Sequence, residues 1–194
     1  MLLSRVLRKL VSLAAALLFL GTLVFPFLSF VRICLLSIPE YQCDSIFYIW
    51  SFMMREEITC LKWSGFTHET LDYWFNDYWF RWLYCSFPPD QQILQLKDEI
   101  SWMLIFLFSL QILTLSIAAA SIFIYKKYLA FIPVALCPAT TALMTLIFIL
   151  LDNASRIIAA YKIGYWLTYP SEALFIISLI INVKTQRTQT RPLD

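Results

Sequence analysis

"LVSLAAALLFLGTLVFPFLSFV", residues 10–31, carries no charged side chain over 22 positions. At 1.5 Å of rise per residue, a helix of that length crosses the roughly 30 Å hydrocarbon layer of a bilayer. Arg5, Arg8 and Lys9 stand before it, as the basic residues of a secretory leader would. A leader has a shorter apolar core and a small-residue cleavage site, whereas this run is long and ends in Phe and Pro. The stretch predicts a retained membrane span. Composition agrees. Of the 194 residues 60% are hydrophobic and 14% charged, with a mean hydropathy of +0.71. Soluble domains carry about 25% charged residues, and so small a soluble chain could not hide this much apolar surface.

Three further runs have span length: 100–125, 128–151 and 165–183. Their few polar members, Gln111, Ser116 and Ser121 in one and Thr140, Thr141 and Thr145 in the next, suit helix–helix contacts inside a bundle. No span carries a charge at its centre, which speaks against a pore or a substrate path. Pro133 lies near the start of the third span, and Pro138 predicts a kink in it.

Charge orients the spans. Arg5, Arg8 and Lys9 flank the first, Lys126 and Lys127 form the turn between the second and third, and Lys184, Arg187 and Arg191 follow the fourth. Four crossings put all three groups on one side, and basic residues mark the cytoplasmic side. The expected layout is a cytoplasmic N-terminus (1–9), a long extracellular or lumenal segment (32–99), a cytoplasmic turn (126–127), a short outer segment (152–164) and a cytoplasmic tail (184–194). The long outer segment holds ten acidic and five basic residues, a net of −5. The plasma membrane and the endoplasmic reticulum both satisfy this layout.

That outer segment contains Cys43, Cys60 and Cys85, with Cys34 at its edge. Oxidising space permits disulfides there, and spacing alone does not rank the pairings. Cys137, inside the third span, reads as a packing residue. "SIFYIWSFMM" (45–54) and "EITCLKWSG" (57–65) read as two strands of a small sheet, with Gly65 marking a turn. In "LDYWFNDYWFRWLYC" (71–85), Leu71, Trp74, Phe75, Tyr78, Trp79, Trp82 and Leu83 recur every three or four residues. That period predicts a short amphipathic helix over 70–85 at the outer membrane interface, where Trp and Tyr rings are sheltered and their polar ends stay wet. Asn153-Ala154-Ser155 matches the glycosylation acceptor pattern on the outer side. The resulting fold class is an all-α membrane protein, a four-helix transmembrane bundle with a small disulfide-containing extracellular or lumenal subdomain.

The layout resembles that of the claudin-like four-span superfamily: both termini inside, a long cysteine-bearing first outer loop, a tight basic inner turn and a short second outer loop. That family carries a tryptophan, a Gly-Leu-Trp element and two cysteines; here Trp50 and Trp63 are present with Cys60 and Cys85, without Gly-Leu-Trp and with far wider cysteine spacing. "IGYWLTYPSEALFIISL" (163–179) is similar to the entry of the family's fourth span. The resemblance implies a left-handed four-helix bundle, an outer sheet and action by lateral contact.

For function, the chain offers no paired buried carboxylates, no phosphate-cradling glycine loop among its three glycines, and one histidine. Metal, cofactor and nucleic-acid roles are not expected; the partners expected are membrane lipid and another integral membrane protein. The first reading is a non-catalytic accessory subunit or adhesion-like partner that uses Trp74, Phe75, Tyr78, Trp79 and Trp82 as anchors. The alternative is a lipid-modifying or lipid-transporting protein built around His68 with Glu69, Asp72 and Asp77. A third reading is an obligate small subunit of a membrane enzyme complex.

Overall fold

The computed structural model describes residues 2–35, 41–62, 65–74, 91–124, 126–153 and 158–189. Four long helices form one half of the molecule: α1 (Leu2–Val24), α2 (Gln91–Phe123), α3 (Lys127–Asn153) and α5 (Thr168–Gln189). Five strands form the other half: β1 (Leu28–Leu35), β2 (Tyr41–Ile49), β3 (Met53–Lys62), β4 (Gly65–Trp74) and β5 (Ile158–Tyr161). A single turn, α4 (Ile163–Trp166), leads into α5. Each helix packs on two neighbours, α1 on α2 and α5, and α3 on α2 and α5, so the bundle is square in section.

The bundle is turned inside out relative to a soluble one. Leu10, Leu17, Phe106, Leu113 and Phe131 are exposed on its outside, while Ser12, Thr22, Gln111, Thr114, Thr140, Ser171, Ser178 and Asn182 are buried within it. Water would reverse that distribution; lipid accepts it. All four helices are long and apolar enough to span, over Val6–Val24, Trp102–Phe123, Tyr128–Asn153 and Ile163–Thr185. Trp102 (71% exposed) and Trp166 begin spans at the sheet end, and Tyr128 begins one at the opposite end, as an interfacial aromatic belt requires. The chain is a four-helix integral membrane protein.

Two apolar clusters hold the bundle. One lies away from the sheet and joins Ala15 and Phe19 to Ala118, Cys137 and Phe175, with the two phenyl rings edge to face at 6.0 Å. The other lies under the sheet and joins Phe27, Leu28 and Ile49 to Ile100, Leu104, Leu107, Met144, Ile147, Leu151 and Tyr165. That second cluster fastens the base of the sheet to the helices.

The expectation of an all-α chain is corrected. The sheet is a five-stranded antiparallel array in the order β4-β3-β2-β1-β5. Residues 10–31 are not one span. Pro26 has no N–H to continue the helix, the last helical bond is Phe25 N to Gly21 O at 2.9 Å, and Leu28 onward is strand. Pairing with two neighbours outweighs the apolar periodicity: Leu28–Val31 lie between Ile46–Ile49 and Ile158–Tyr161. Residues 70–74 of the expected aromatic helix are the end of β4, paired along their length with β3; the remainder of that helix lies outside the described residues.

The disulfide-containing subdomain is corrected too. Among the described residues no disulfide bond is present. The ladder sets Cys43 opposite Cys34 on one side and Cys60 on the other, and continuous backbone hydrogen bonding across four strands supplies the cross-links that the disulfides were expected to supply. Cys85 lies outside the described residues. Cys137 is a buried free thiol donating to the Thr168 carbonyl at 3.5 Å, in keeping with its reading as a packing residue.

Candidate functional site

Two backbone bonds tie the chain before β1 to the start of α4, and a third ties it to β2. Phe27 N–H donates to Ile49 O (2.9 Å), Lys162 N–H to Phe27 O (3.0 Å) and Gly164 N–H to Pro26 O (3.0 Å). A methyl carbon on Gly164 would sit 2.5 Å from Phe25 O and 2.9 Å from Pro26 O. Only glycine permits that approach.

The clamp fixes an aromatic ladder beside it. Phe148 of α3 stacks on Tyr161 of β5 at 4.1 Å, and Tyr161 stacks on Tyr165 at 4.0 Å. Trp166 and Tyr169 meet Tyr165 edge-on at 5.4 and 5.7 Å. Offset and edge-on rings favour one another by about 1 kcal/mol beyond area burial. Burial, and next the neighbouring Tyr165, push the Tyr161 phenol above its ordinary value. Trp166 and Tyr169 are exposed, so the ladder reaches the molecular surface.

Below the ladder a groove of about 480 Å³ opens sideways between α3 and α5. Its α3 wall carries Pro138, Thr141, Ala142, Thr145, Leu146 and Ile149, the recurrence of one helical face. Its other wall carries Tyr165 of α4 and Tyr169 and Glu172 of α5. Tyr169 and Glu172 are three apart and share a face.

The hydroxyls of this groove form one hydrogen-bonded chain. Thr145 donates to the Thr141 carbonyl at 2.8 Å, as a hydroxyl in an apolar helix does. Thr145 Oγ1 also meets Tyr165 OH (3.2 Å), and Tyr165 OH meets Tyr169 OH (3.0 Å), either hydroxyl of each pair being able to donate. Glu172, half-buried one turn further along, offers only lone pairs as an ionised carboxylate. No described residue donates to it.

Glu172 corrects the expectation that no span carries a central charge. It is the tenth residue of the Ile163–Thr185 span, about 14 Å along it at 1.5 Å per residue. The signal is present in "YPSEALFIISL" as a lone acid in an apolar window. The acid lies two residues before the midpoint of the span, whether that is taken as 165–183 or as 163–185.

The other polar positions divide. Gln111 is buried and donates across the bundle to Thr22 Oγ1 at 3.0 Å, while Ser121 and Thr140 are buried but bond carbonyls of their own helices, at Ala118 and Leu136. Ser116 is exposed and bonds its own helix at Ile112 O, while Thr141 and Thr145 line the groove. Arg8, at the far end of the bundle, is buried and donates to Ile122 O at 3.2 Å. Asn153 is the last residue of α3 and is exposed. Trp74 closes β4 opposite Met53, and His68 and Glu69 pair with Thr59 and Ile58. Phe75, Tyr78, Trp79, Trp82 and Asp77 lie outside the described residues. The aromatic cluster that the structure does assemble, Phe148, Tyr161, Tyr165, Trp166 and Tyr169, was not anticipated. Its members come from several elements, and only the β1–β5 pairing makes them neighbours. No group of three or more metal-ligating side chains occurs among the described residues.

No protein-family model matches the chain, and no curated protein matches it in sequence.

Proposed function

We propose that this chain is a non-catalytic four-span accessory subunit or adhesion-like partner of another integral membrane protein, of the claudin-like type. The observation that carries the reading is the clamped platform. Four strands from the first outer segment and one from the second form a single sheet, and the bonds at Phe27 and Gly164 hold it at a fixed attitude on the bundle. A platform held that way suits recognition by lateral contact. The aromatic stretch Trp74, Phe75, Tyr78, Trp79 and Trp82 follows directly on β4 and supplies residue types common at protein contacts. By the positive-inside rule both termini face the cytoplasm and the sheet faces the outside or a lumen.

Purification of the tagged chain from native membranes in mild detergent, read by native mass spectrometry, tests this reading. A complex of fixed stoichiometry with a second membrane protein is the expected result. A lone monomer, in a detergent that preserves a control complex, contradicts it. Replacement of His68 by Ala should leave that complex intact; a protein whose role was lipid chemistry at His68 would lose activity on the same change.

A further inference from the structure

We propose that the α3–α5 groove receives a membrane-spanning helix of the partner, and that this helix carries a lysine or arginine at mid-depth opposite Glu172. The inference rests on the accessory reading and names where the partner docks and by what chemistry.

Depth is the first argument. A carboxylate about 14 Å along a span lies in hydrocarbon, where ionisable groups face a cavity or pair with an opposite charge. Glu172 faces a groove that opens to the side, and no described residue donates to it. Polarity is the second. The groove sets the Glu172 carboxylate, which as an anion accepts only, beside the linked hydroxyls of Tyr169, Tyr165 and Thr145. An occupant must bring donors, and a lysine or arginine brings three or five.

Shape is the third. Thr141, Ala142 and Thr145 are small, which lets a second helix backbone come close. A lipid amine fits less well, because headgroups lie at the interface rather than near the tenth residue of a span. A second copy of this chain fits less well again. The basic residues in its described spans, Arg8, Lys9 and Lys184, all stand near span ends, and Arg8 is buried against Ile122.

The test places a photo-crosslinking amino acid at Leu146, in the groove, or at Leu17, on the outer face of α1, in the full chain in native membranes. Adducts are digested and sequenced. The Leu146 probe should capture a polypeptide whose linked peptide is a membrane-spanning segment containing Lys or Arg; the Leu17 probe should capture lipid. Yield at Leu146 should fall at least tenfold with Glu172→Gln and with Glu172→Lys, and persist with Glu172→Asp, while circular dichroism and thermal unfolding show each variant folded. Leu146 adducts that are lipid, a second copy, or a helix without a basic residue would overturn the proposal, as would full yield with Glu172→Gln. If a fixed-stoichiometry complex still purifies in any of those cases, the accessory reading stands and only the groove assignment fails. If no complex purifies and no polypeptide is captured, both fail.

Discussion

Helix α5 has two seams, and they are built oppositely. Against α1 the seam is closed. Ser12 and Ser178 share a hydrogen bond of 2.6 Å, both buried, and Phe19 meets Phe175 edge to face. At its sheet end, Gly164 brings the lead-in to α5 onto the backbone at Phe25 and Pro26. Against α3 the seam parts into a groove lined by Tyr169 and the carboxylate of Glu172. A closed polar pair stabilises a fold in lipid, whereas an open acceptor costs stability until something donates to it. The same helix thus shows which polar groups the fold uses and which it leaves for a partner.

The largest expected effect breaks the closed seam. Gly164→Val forces carbon to within 2.5 Å of a carbonyl oxygen that the clamp cannot move aside. The loss should be about 3 kcal/mol or more, read as a steep drop in the thermal midpoint in detergent and as loss of sheet signal. A midpoint within a few degrees of the parent would show that the clamp does not hold the sheet. Ser178→Ala should cost far less, about 0.6 kcal/mol, the average of hydrogen bonds between membrane helices; equal damage from the two changes would erase the distinction between clamp and pair. Smallest is Glu172→Gln, which should shift the stability of the isolated chain by less than about 0.5 kcal/mol. A large destabilisation would make Glu172 a structural residue and turn the open seam into a closed one.

The spans were legible because a charge-free apolar run of about 20 residues matches the thickness of a bilayer and seldom arises in a soluble core. The buried Gln111 and Thr140 were legible as rare polar positions in such runs. The end of the first span was not. Leu28 is apolar because it packs in the cluster under the sheet, and burial there looks the same in sequence as burial in lipid; Pro26 was the one punctuation mark. β5 could not be read at all, since "IAAY" is strand only through its pairing with Leu28–Val31. The strand at 65–74 was hidden because aromatic spacing of three and four mimics a helix, and its partner β3 decides the matter. Glu172 was legible as a lone acid close to the middle of the apolar run 165–183. The cysteines suggested bridges where the backbone ladder already fastens the strands.

All of this depends on lipid facing the helix exteriors. Nitroxide labels placed singly at Leu17, Ile112 and Phe131, in the chain reconstituted into vesicles, report it through relaxation by oxygen and by a water-soluble nickel chelate. Strong oxygen relaxation with little effect of nickel is the expected result at all three, with the reverse at Lys126. Ready relaxation by nickel at Leu17, Ile112 and Phe131 would place those faces in water and contradict the account.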